Sequence, residues 1–138
     1  MMREILFRGK CTQGGNWVKG SLLFHTYPDM VIMVPEGHTS FTVASETIGQ
    51  YTGLKDKNCN RIFEGDIISI PYIHGRYPYA ENLTYYENGE VYFDIKRYGW
   101  YVRFSDDEIS LREFDGRVIE IMGNIYENPE LLSNEVMK

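Results

Sequence analysis

Cysteine is scarce: Cys11 and Cys59 are the only two in 138 residues, 48 positions apart, with no Cys-x-x-Cys or Cys/His spacing around either. That excludes a disulfide framework and offers no metal-ligand pattern, so two free thiols are expected and no metal or cofactor site. Long apolar runs are missing as well; none approaches the roughly 20 residues of a membrane-crossing helix. Near the N-terminus only Ile5-Leu6-Phe7 lies between charges, far short of the ~7–15 apolar residues of a secretory signal, and a cytoplasmic location without membrane contact is expected. Absent too are Gly-x-Ser-x-Gly, a phosphate loop, a dinucleotide fingerprint and a His-Glu-x-x-His helix, which removes the commonest readable routes to catalysis. There is no basic excess: the net charge is −6. Residues 1–105 hold eleven Lys/Arg against eleven Asp/Glu, and residues 106–138 hold three against nine. This acidic end repels phosphate backbones and can attract basic partners, or is simply a solvated face that keeps the chain soluble.

What is present is a chain with 43% hydrophobic and 25% charged residues, long enough for one domain with its own core. Thirteen Gly and eleven Tyr accompany apolar runs of four to eight residues, separated by Gly, Asn, Asp and Pro. This is the punctuation of short strands and turns, and an all-β architecture is expected. Glu4–Arg8, Trp17–Phe24, Met30–Val34 and Phe41–Ala44 read as a four-stranded meander. A second set, expected to form a small barrel-like part, comprises 61–63, 66–73, 83–86, 90–95, 100–104 and 118–122. Asn88-Gly89 is the strongest hairpin signal, because both residues tolerate φ > 0, and Tyr98-Gly99 is a weaker turn. Helix is confined to short turns in 45–51, 105–114 and 128–132. His74–Asn82 reads as an exposed loop, and 133–138 as a fraying end. The whole is expected to pack as one unit, with 1–54 and 55–138 as sub-parts.

Four ordered segments stand out together: Arg3–Lys10 with Gly15–Gly20, Thr47–Asn58, Phe63–Ile68 and Met122–Leu132. As a set they closely resemble the YopX family, small proteins encoded mainly by temperate phages and prophages. The resemblance implies a mostly β fold, an origin in a mobile element, self-association, and no established reaction or catalytic residues. Cys59 stands where that family usually has glycine. If the position needs φ > 0, cysteine there costs about 1 kcal/mol or more.

Three sets of residues are candidates for function. The segment 50–58 joins Tyr51, Gly53, Lys55 and Lys57, which could hold an anion or stack a base; alternatively Tyr51 seals the core and Gly53 supplies an unusual backbone angle. Glu64-Gly65-Asp66 offers two carboxylates, conceivable as an acid and base pair, or simply a turn closed by its own aspartate. The stretch 72–104 holds eleven aromatics in 33 residues, mixed with Arg76, Lys96, Arg97 and Arg103. Exposed tyrosines among basic groups hold single-stranded nucleic acid, whereas Tyr, Trp and Arg also dominate protein contact centres. The acids Glu81, Glu87, Glu90 and Asp94 balance those bases, and Tyr92, Asp94 and Lys96 alternate with Val91, Phe93 and Ile95, one face polar and one apolar. His25, His38 and His74 are scattered and read as loop residues.

The leading expectation is a non-catalytic module that binds protein, itself or a phage or host partner, through a surface drawn from Tyr51, Lys55, Arg76, Tyr77, Tyr79, Arg97 and Trp100. Single-stranded nucleic-acid binding through the 72–104 region is the second reading. An enzyme built around Glu64, Asp66 and Tyr51 is the third.

Overall fold

A computed structural model describes residues 3–23, 29–34, 37, 39–71, 86–105 and 107–132. The chain divides into two compact units, Met1–Gly53 and Leu54–Lys138. The all-β expectation holds, since among the described residues the regular structure is eleven strands and short 3-10 turns.

In the first unit β1 (Phe7–Lys10), β2 (Trp17–Leu23), β3 (Asp29–Val34) and β4 (Thr39–Ala44) form the expected antiparallel meander. β5 (Gly49–Lys55) then lies antiparallel on the other side of β1. It occupies ground expected to be helical, because only Ser45–Thr47 makes a 3-10 turn. Thr47 fixes this switch: its hydroxyl donates to Ala44 O at 2.7 Å and accepts from Lys10 N at 2.9 Å, ending the turn against β1. The meander also curls. Cys11 bridges Val43, and Thr12 N donates to Thr42 O at 3.1 Å, bringing β4 back towards the end of β1. Gly9 permits this approach, since a Cβ there would sit 2.9 Å from Val43 Cβ and 3.2 Å from Ile32 Cδ1.

β5 runs past the unit boundary, and β6 (Arg61–Phe63) is hydrogen-bonded to it. The second unit is a five-stranded antiparallel sheet in the order β10-β9-β8-β7-β11, from β7 (Asp66–Pro71), β8 (Tyr86–Asp94), β9 (Gly99–Arg103), β10 (Glu108–Ser110) and β11 (Glu120–Asn124). Side-chain alternation places Ile68, Ile70, Val91 and Val102, all 0% exposed, on one core with Phe104, Leu111 and Phe114. β10 and a 3-10 turn at Leu111–Glu113 replace the helical turn expected over 105–114. Ile109 and Leu111 alternate into the core as a strand requires.

Neither sheet closes into a barrel among the described residues, contrary to the barrel-like C-terminal part expected. The outer edge of β11 is already occupied by the loop after β5. Asp56, 5% exposed, accepts from Asn58 N and Asn60 N through Oδ1, both at 2.9 Å, and from Ile121 N through Oδ2 at 3.1 Å. Lys57 N donates to Ile119 O at 2.8 Å. This pairing covers the outer edge of β11 at Ile121, where a closing strand would have to add. Cys59, in this loop, has φ +66°, the left-handed conformation for which glycine is suited.

Asn88-Gly89 is not a turn. β8 runs straight through it, with Asn88 opposite Ser69 and Gly89 opposite Ile68. The glycine serves a close approach: a Cβ at position 89 would lie 2.5 Å from Val102 Cγ1 and 2.9 Å from Phe104 Cε1. The hairpin instead turns at residues 95–98, where Tyr98 adopts φ +57° before Gly99, and Asp94 Oδ1 accepts from Lys96 N. Much of the strand expected over 83–86 lies outside the described residues, as do the loop 74–82, the end 133–138 and all three histidines.

Two stability changes follow. Gly89→Ala overpacks the core and lowers stability by about 1–3 kcal/mol, measured as a fall in the urea midpoint; a turn glycine would leave Val102 and Phe104 undisturbed. Cys59→Gly relieves about 1–2 kcal/mol of left-handed strain and gives back about 0.4–1 kcal/mol of unfolded-state entropy. The midpoint should therefore rise modestly.

Candidate interaction surface

The register of β8, β9 and β10 builds a layered array on the face opposite the core. Glu90 pairs with Arg103 and Arg103 with Glu108, while Tyr92 pairs with Tyr101. Strand pleating puts these side chains on one face, the ring centroids of the two tyrosines 6.3 Å apart. The Arg103 guanidinium lies 3.9 Å from the Tyr92 ring centroid, and Arg97 reaches back from the turn to 4.5 Å from that of Tyr101. Carboxylates close the array: Arg97 Nη2 donates to Glu108 Oε1 at 2.6 Å, Arg97 Nε is 2.9 Å from Asp94 Oδ2, and Arg103 meets Glu90 at 3.4 Å and Glu108 at 3.6 Å.

The charges shift one another accordingly. The hydrogen bond from Arg97 holds the Glu108 carboxyl below its usual range, and the same bond raises the guanidinium. Burial, followed by the charge of Glu108, raises the Tyr92 phenol. Two arginines facing three carboxylates leave no surplus positive charge, and a guanidinium already lies over each tyrosine ring. A base seeking to stack there would have to displace an arginine from its acids. The groove of about 470 Å³ beside β10 is lined by these same arginines and Glu108.

The other face of the hairpin behaves differently. It begins in the core at Val91 and Val102, 0% exposed, and continues to the pair Phe93–Trp100, whose rings meet edge-on at 5.1 Å. Trp100 packs against the core, but Phe93 is 42% exposed, Ile95 75% and Tyr98 84%. The hairpin thus extends beyond the core it covers, and its tip carries large apolar groups in water. Alternation marked Phe93 and Ile95 as apolar-face residues, but without the register it gave no sign that the core ends at Val91.

Of the residues expected to form a binding surface, Arg97 and Trp100 share this hairpin on opposite faces. Lys55 is exposed at the end of β5, and Tyr51 in the same strand is only 7% exposed. Gly53 has φ +95°. Segment 50–58 therefore matches the structural alternative, with a buried ring and a glycine-dependent bend. Arg76, Tyr77 and Tyr79 lie outside the described residues. Glu64-Gly65-Asp66 is a turn closed by its own aspartate: Asp66, 2% exposed, accepts from Phe63 N at 2.7 Å, and Gly65 has φ +92° under the Tyr126 ring. Among the described residues no three His, Cys, Asp or Glu side chains cluster in a way that could hold a metal ion. No helix there is long and apolar enough to cross a membrane.

These features define a small all-β protein with a mutually neutralised polar face and a protruding apolar hairpin. Residues 7–133 match the family described as YopX protein, and the chain belongs to the YopX family. The crystal structure of protein EF1440 from Enterococcus faecalis is similar at 26% identity and a TM-score of 0.55, over 95% of this chain and 99% of that one. No curated protein matches the chain.

The array makes a testable statement about Tyr92. Removing the Glu108 charge with Glu108→Gln should lower the phenol pKa, yet leave it above the ordinary tyrosine value, because burial remains. Absorbance titration near 295 nm against a Tyr92→Phe control reads the change.

Proposed function

We propose that this protein is a phage- or prophage-derived accessory protein of the cytoplasm that works by binding protein, itself included, rather than by catalysis. The observation carrying this reading is the apolar hairpin tip, where Phe93, Ile95 and Tyr98 stay exposed although Val91 and Val102 beside them are fully buried. Large apolar groups clustered outside a core mark contact surfaces, and aromatic anchors dominate the energy of such contacts. The closed edge of β11 and the short, charged β10 make side-chain docking the favoured mode over strand addition. Two free cysteines fit a reducing compartment. Nucleic-acid binding has weaker support, since Arg97 and Arg103 are engaged by carboxylates.

Sedimentation equilibrium at micromolar concentration tests the proposal. Wild type is expected to associate, and Ile95→Lys, at a position 75% exposed, to shift the population towards monomer while its thermal midpoint stays unchanged. A wild-type protein that remains monomeric, and whose tip cross-links to no phage or host protein, would remove the case.

A further inference from the structure

The first unit carries a second surface, independent of the hairpin. A cleft of about 830 Å³ opens between the β1–β2 turn and β4, and the nine described residues that line it are all uncharged, in a chain of which a quarter is charged. Trp17 and Phe41 supply aromatic surface, Phe41 being 37% exposed. Arg8 lies 5.0 Å from the Trp17 ring centroid and steadies the indole. Around these rings stand Gln13, Asn16, Ser40 and Thr42, which bring amide and hydroxyl groups.

We propose that this cleft binds an uncharged, proline-rich peptide segment in the extended polyproline conformation. Three observations select that ligand. None of the described residues that line the cleft is charged, so a phosphate, carboxylate or ammonium finds no partner among them. The neighbouring backbone is already paired, Cys11 N to Asn16 O at 2.8 Å and Thr12 N to Thr42 O at 3.1 Å, so a peptide adding as a strand finds few free groups. Recognition therefore falls to side chains. A polyproline segment offers carbonyl acceptors and few N–H donors, which suits the amide and hydroxyl donors of Gln13, Asn16, Ser40 and Thr42. Its pyrrolidine rings lie flat on aromatic surfaces, and its preformed extension loses little entropy on docking.

The test uses the full chain with Trp100→Phe, leaving Trp17 as the sole indole. Titration with a synthetic decaproline should change Trp17 fluorescence saturably, and the affinity should vary by less than about twofold between about 0.05 and 0.5 M sodium chloride, since no ion pair is formed. Phe41→Ala should weaken binding by about tenfold or more. Asn16→Ala, at an exposed turn position, provides a second loss variant that leaves the sheet intact. Ile95→Lys should bind as the parent does, which separates this site from the hairpin. No saturable change at millimolar peptide, binding insensitive to both cleft variants, or a response to cellotetraose in place of decaproline would each overturn the proposal.

Discussion

One buried carboxylate organises the second unit. Asp56 gathers three backbone N–H groups, two from its own loop and one from Ile121, and so turns the loop after β5 into a cover for the edge of β11. Each of these is a hydrogen bond to a buried carboxylate, and losing the acceptor would take its partner from three backbone donors at once. One edge of the sheet is covered at this contact, and the other ends in the three residues of β10. The left-handed backbone at Cys59 belongs to the same construction: the loop must double back within a few residues for Asn58 and Asn60 both to reach one oxygen.

At the end of β11 a second set of side-chain caps fixes the chain's exit. Asn124 Oδ1 accepts from Tyr126 N and Glu127 N, while Asn128 Oδ1 accepts from Asn124 N. Ile125 N donates to Gly65 O, tying this ending to the turn before β7. The family segments thus mark mostly turns held by polar side chains, at Thr47, Asp56, Asp66 and Asn124.

Much of the strand content was legible because apolar runs and turn residues alternate so regularly; β6 and three strands of the meander fall close to where they were expected, whereas β1 runs over Phe7–Lys10 and not Glu4–Arg8. The failures have physical reasons. Asn88-Gly89 carries the composition of a tight turn, but its glycine answers to Val102 and Phe104 on the neighbouring strand, a constraint invisible until the register is known. β5 and β10 were hidden because 45–51 and 105–114 were expected to make short helical turns, whereas pairing with β1 and β9 decides the outcome. At the candidate surface the composition pointed to Arg97 and Trp100. It did not show that Arg103, Tyr92 and Glu108 interlock, since that depends on three strands meeting in one register. Tyr51 looked exposed because its neighbours are polar, yet strand alternation turns it inward.

The two faces of the β8–β9 hairpin divide its labour. On one, cations, rings and acids satisfy one another and leave little for an outside anion. On the other, the apolar stripe that anchors the sheet runs past the last buried layer into solvent.

Cys59 is exposed at the bend that covers β11, whereas Cys11 is partly shielded in the other unit. The native chain therefore carries its own handle for a thiol-reactive fluorophore beside the sheet margin, and a dye placed there would report on that margin separately from the core.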